Sequence, residues 1–198
     1  MKFFGLKFTF YYSIKFIKSI LFDNSIERVL KKNSIKIIKL KKNINHPESI
    51  NIIKNFSPDL LVSILGNQIF KNNIIKLAPK GCINLHTALL PKYRGLMPTF
   101  WVLKNNEEFT GVSVFFVDEG IDSGPIIVQK KVKIGNISQS SLIEITKKLG
   151  MDAIIEAIDL IDNDKFNLIT NNDNEMTYYT FPSREDVIEF KRKGKKFF

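Results

Sequence analysis

Two short apolar runs, PDLLVSILG at residues 58–66 and GCINLH at residues 81–86, set the strongest constraint on the fold. Neither alternates polar with apolar residues, so as strands they must be covered on both faces, and such strands belong to parallel sheets packed between helices. The segments around them agree. IKIIKL (35–40) reads as a strand, HPESINIIKNF (46–56) as a helix with Pro47 in its first turn, and NQIFKNNIIKLAP (67–79) as a helix stopped before Pro79. This alternation predicts an α/β fold with a mostly parallel sheet and helices on both faces.

The pattern changes after residue 96. MPTFWVLKNN (97–106) reads as a helix, and TGVSVFFV (110–117) and GPIIVQKKV (124–132) as strands joined by DEGIDS (118–123). That connection is too short for a crossover helix, so the sequence predicts an antiparallel strand pair toward the C-terminal part. From Ser138 to Asn163, Leu142, Ile145, Leu149, Ile154, Ile158 and Ile161 recur at helical spacing, with Gly150 a break. The domain reading is a core over residues 1–163 and a polar, turn-rich extension over 164–198 that lies over the core and ends in a short helix.

Composition narrows the class. The chain has 198 residues, enough for one full core. Cys82 is its only cysteine, which excludes an intramolecular disulfide and fits a reducing cytoplasm. The net charge of +10 is scattered, and only Lys191 to Lys196 forms a dense basic run, read as a solvated tail. Lysines interrupt the aromatic start, MKFFGLKFTFYYSIKFIKSILF, making it a poor membrane span and a poor signal peptide. Phe10, Ile14, Ile17 and Leu21 fall on one helical face, which reads as an amphipathic helix packed on a core, without stable membrane association.

Chemistry concentrates at the end of the second apolar run. Asn84 and His86 alternate there and point to one face, into the crevice where open α/β sheets bind ligands. An Asn amide can donate to a carbonyl oxygen that gains charge, and an imidazole can hold or move a proton. Acyl transfer to an amine needs both, and a carboxylate to orient the imidazole and relay the amine's proton. Asp122, in the EGIDSGP turn, is the best candidate. Arg94 either grips an anionic substrate or pairs with a surface carboxylate. Gly95, Gly120 and Gly124 serve backbone conformation, Cys82 is a buried inert thiol, and His46 starts a helix. No cluster has metal-ligand spacing and no Gly-rich phosphate loop occurs.

NLHTALLPKYRG (84–95) and GVSVFFVDEGIDSGPII (111–127) together resemble the folate-dependent formyltransferases, over residues 57–135. This family includes methionyl-tRNA formyltransferase, glycinamide ribonucleotide transformylase and nucleotide-sugar N-formyltransferases. The resemblance implies a Rossmann-like fold, catalytic Asn84, His86 and Asp122, and 10-formyltetrahydrofolate as formyl donor, with no metal. It places Leu65, Gly66, Asn67, Gln68, Ile69 and Phe70 against the pterin ring, with Asp118, Glu119, Gly120 and Ile121 as the opposite wall. Arg94 and Gly95 fall on the substrate side. One departure is Ala88, where the family carries Ser before Leu-Leu-Pro; a hydroxyl is lost.

The implied acceptor is a small-molecule amine such as an amino-sugar nucleotide. tRNA is the alternative that the basic tail keeps open, and an inactive folate-binding or partner-dependent remnant is a third reading. The family's first strand, glycine-bearing turn, helix and second strand have no counterpart before residue 35. The sequence therefore reads as a core lacking its first βαβ, with a gap beside LLVSIL. It predicts a chain that is poorly soluble or pairs as a homodimer through this region.

Overall fold

The computed structural model describes residues 4–21, 25–66 and 68–198, which divide into two compact units, Met1–Lys41 and Lys42–Phe198. In the first unit, α1 (Leu6–Leu21) and α2 (Ile26–Lys32) are the regular elements. The Ser25 hydroxyl accepts from the Arg28 N–H and caps α2. The inner face of α1 is not the predicted one. Phe4 is buried and stacks on Phe8, which packs on Tyr12, whereas Phe10 and Ile17 are more than half exposed; the side chain of Leu21 lies outside the described residues. IKIIKL forms no strand, and Ile35 and Ile38 are exposed.

In the second unit, α3 (Pro47–Lys54) begins at His46, whose Nδ1 accepts from the Glu48 N–H. A four-stranded sheet follows in the order β1 (Leu61–Ile64), β2 (Cys82–His86), β4 (Phe109–Phe116), β5 (Ile126–Lys133). The first pair is parallel and the other two are antiparallel, so the sheet is mixed and its parallel share is smaller than the apolar runs suggest. Among the described residues β1 is an edge strand, and Val62 and Ile64 on it are exposed.

One face of the sheet is covered by α6 (Gln139–Asp162). Ala153, Ile154, Ala157 and Ile161 pack on Ile83, Val112, Val114 and Val128. Gly150 does not break this helix. Its missing side chain lets the helix lie close to β2, since a Cβ there would lie 2.6 Å from a Leu85 methyl. The remaining elements are α4 (Asn72–Ile75), a two-residue β3 (Arg94–Gly95), α5 (Pro98–Lys104), a 3-10 turn at Asp173–Glu175, β6 (Tyr178–Tyr179) and α7 (Arg184–Arg192). The extension is woven into this unit. Strand β6 pairs in parallel with β3, Ile169 bridges Ile126, and Phe190 of α7 stacks between Phe100 and Phe197.

Candidate active site

Strand β2 carries Asn84 and His86 to the carboxyl end of the parallel pair, where the sheet opens into a cleft of about 520 Å³. That volume suits an organic ligand of moderate size. Both residues line it, as does Asp122. Asn84 is half-buried, and its side-chain amide makes no hydrogen bond to any described residue, so the amide is open toward the cleft.

His86 is 6% exposed and its ring is hydrogen-bonded on one side. Nε2 lies 2.8 Å from the Tyr93 carbonyl oxygen. A carbonyl oxygen only accepts, so Nε2 carries the proton and the open nitrogen is Nδ1. Nδ1 faces the Asp122 Oδ2 at 3.5 Å. The carboxylate is in turn held by the Gly95 N–H, which donates to the same oxygen at 2.9 Å. Asp122 sits at φ 49, the left-handed region that a short polar side chain tolerates better than most.

The turn after His86 is held from below. The Ser113 hydroxyl donates to the Ala88 carbonyl at 2.7 Å and accepts from the Leu90 N–H at 3.0 Å, while the Gln129 amide donates to the Leu90 carbonyl at 2.7 Å. Ala88 is fully buried in this turn. Tyr93 stacks on Tyr179 and donates its hydroxyl to Glu107, and burial pushes its phenol pKa upward. Cys82 is buried, and desolvation raises its thiol to about 11, so it is inert at neutral pH.

The structure sorts the remaining predicted residues. Leu65, Gly66, Gln68, Ile69 and Phe70 line the cleft, as do Asp118, Gly120 and Ile121. Asn67 lies outside the described residues. Glu119 does not line the cleft; it accepts from the Asn72 amide. Gly95 lines it, but Arg94 does not. Arg94 is 5% exposed, its two Nη atoms are committed to Asp173 and Asn171, and its Nε is buried without a partner among the described residues, which leaves no open face for an anionic substrate. Its partners belong to the extension, 77 and 79 residues away, and no local pattern around Asn171 announces them. Among the described residues no group of three or more His, Cys, Asp or Glu could hold a metal, and no helix is long and apolar enough to cross a membrane.

A mixed sheet thus brings Asn84, His86 and Asp122 to one strand-end cleft, and sequence comparison gives the chain's kinship. The formyl transferase family profile matches residues 22–158, more than half of the chain, and the protein belongs to that family. Methionyl-tRNA formyltransferase of Kosmotoga olearia is 32% identical over 171 residues, covering 85% of this chain and 54% of that protein. The Syntrophomonas wolfei protein of the same name is 34% identical over 148 residues, covering 74% and 47%. The chain thus spans about half the length of the curated relatives it matches.

Among solved structures, a 4-N formyltransferase from Francisella tularensis is 25% identical with a TM-score of 0.63, covering 83% of this chain and 69% of that one. An N-formyltransferase from Helicobacter canadensis, in complex with folinic acid and dTDP-3-aminofucose, shares the fold at a TM-score of 0.64. It is 23% identical and covers 83% of this chain and 62% of that one.

Proposed function

We propose that the cleft transfers a formyl group from 10-formyltetrahydrofolate to a primary amine. The observation that carries this reading is the convergence of three unlike groups on one cleft: an unengaged Asn84 amide, the Nδ1 edge of His86 and the Asp122 carboxylate beside it. The folate supplies the formyl group, bound through nitrogen. The walls suit a flat, partly apolar ring, since Leu65, Ile69 and Ile121 expose apolar surface in the cleft.

The Asn84 amide donates to the formyl oxygen as charge builds on it. Asp122, with His86, takes the proton shed by the attacking amine and returns it to the folate nitrogen, as the new bond from the amine to the formyl carbon forms and the bond from that carbon to the folate breaks. The Tyr93 carbonyl fixes the imidazole so that Nδ1, not Nε2, takes part. The Gly95 N–H keeps the carboxylate aimed at the ring.

For the acceptor, the relatives of higher identity, at 32% and 34%, are named methionyl-tRNA formyltransferases. This favours the amino group of a charged tRNA over that of a sugar nucleotide. The sugar reading is supported by the sugar-nucleotide complex of a fold neighbour. Formylation assays with 10-formyltetrahydrofolate and either methionyl-tRNA or dTDP-amino sugar as acceptor test both. His86→Ala should lower the rate about a hundredfold to ten-thousandfold. Transfer to neither acceptor, or a His86→Ala variant with near-normal turnover, overturns the reading.

A further inference from the structure

We infer that Asn171 and Arg94 act together as positioning residues for Asp122, through a clasp supplied by the segment that follows the family match. This rests on the proposed role of Asp122. Asn171 lies beyond residue 158, where the match ends, and is 9% exposed. Its side-chain amide donates both protons to the Asp122 turn, to the Asp122 carbonyl at 2.8 Å and the Gly124 carbonyl at 2.9 Å. Its Oδ1 accepts from Arg94 Nη2 at 2.8 Å, and the same nitrogen donates to the Asn171 carbonyl at 3.2 Å. Arg94 Nη1 pairs with Asp173 at 2.7 Å.

These contacts converge. The turn that Asn171 grips holds Asp122 at φ 49, and the two bonds from the Asn171 amide fix the backbone there. The neighbour of Arg94 in the chain is Gly95, whose N–H holds the Asp122 carboxylate. One two-residue strand therefore governs both parts of Asp122: the carboxylate directly, and the backbone through Arg94 and Asn171. β6 holds that strand in place by pairing with it. A carboxylate 3.5 Å from its imidazole is sensitive to displacement of an ångström.

Asn171→Asp is the sharpest test, because it preserves shape and the Arg94 contact but turns an acceptor toward the two carbonyls. In the full chain it should lower kcat about ten- to a hundredfold while the KM for the formyl donor changes less than about threefold. In an Asp122→Asn background it should cause no further loss, as expected for two residues acting through one group. The Gly95 amide resonance in a ¹⁵N-labelled sample, which needs no turnover, should move as it does in Asp122→Ala. Asn171→Ala serves as a second variant with less electrostatic penalty.

An unchanged kcat in a folded variant, a full loss added on top of Asp122→Asn, or an unmoved Gly95 amide overturns the positioning role. So does unfolding of both variants, which would make the clasp a folding element. If Asp122→Asn itself leaves transfer intact, the proposed function fails instead, and the Gly95 amide still decides whether Asn171 positions that turn.

Discussion

At the scale of single residues, the site depends on atoms that side-chain chemistry alone does not reveal. Gly95 is the clearest instance. Its φ is +95, and a Cβ there would stand 2.2 Å from the Tyr179 carbonyl oxygen and 2.9 Å from the Tyr178 ring. Gly95→Ala must therefore strain the backbone, separate β3 from β6, and withdraw the N–H that holds Asp122. The backbone strain alone costs about 1–3 kcal/mol. A lowered urea midpoint together with reduced formyl transfer is the expected result, and an alanine variant with wild-type midpoint and turnover would contradict it. That Asn84, His86 and Asp122 meet in one cleft was legible in the sequence, because strand parity and a tight turn are local properties. Arg94 was not, because its choice between substrate and carboxylate was settled by Asn171 and Asp173 from a distant segment.

At the scale of elements, α7 is docked by packing on one side and by charge on the other. Phe190 is fully buried and stacks at 4.7 Å on both Phe100 and Phe197. Phe190→Ala should destabilise the chain by about 3–5 kcal/mol, measured by chemical denaturation. A loss below 1 kcal/mol, on the order of a surface change, would contradict this packing. Lys104 of α5 reaches Glu189 at 2.7 Å and Asp186 at 3.2 Å on α7. The Lys104 and Lys193 ammonium groups lower Glu189 from its ordinary 4.5 to about 2. Because the folded value is the lower one, its contribution is present above about pH 4.5 and lost as pH falls toward 2. The melting-temperature difference between the wild type and Glu189→Gln should be widest at neutral pH and close by pH 2. A difference independent of pH would contradict the assignment.

The elements also show where sequence reading ran out. β2 and the β4–β5 hairpin were legible because uninterrupted apolar runs with turn residues between them leave few alternatives. IKIIKL has the same pattern but no strand forms, since a strand exists only with a partner and pairing is not encoded locally. The helix expected over 67–79 shrinks to the one turn of α4. Around it, Asn45 accepts from the Lys71 N–H and donates to the Ile69 carbonyl, and Gln68 accepts from the Ile44 N–H. These side-chain bonds fix the approach to α4 as a loop, and that loop became a wall of the cleft.

At the scale of the whole unit from Lys42 to Phe198, the extension and the family-matched region form one structure around one carboxylate. The strand end contributes Asn84 and His86, the hairpin turn contributes Asp122, and the extension contributes Asn171. Asp122 is expected to matter for the chemical step and little for holding the folate. The direct measurement is single-turnover formyl transfer from 10-formyltetrahydrofolate by the wild type and by Asp122→Asn, alongside calorimetric binding of tetrahydrofolate to each. The prediction is unchanged binding with transfer reduced at least about a hundredfold in the variant. Transfer within a few-fold of wild type, with binding intact, would contradict the claim that Asp122 handles the proton.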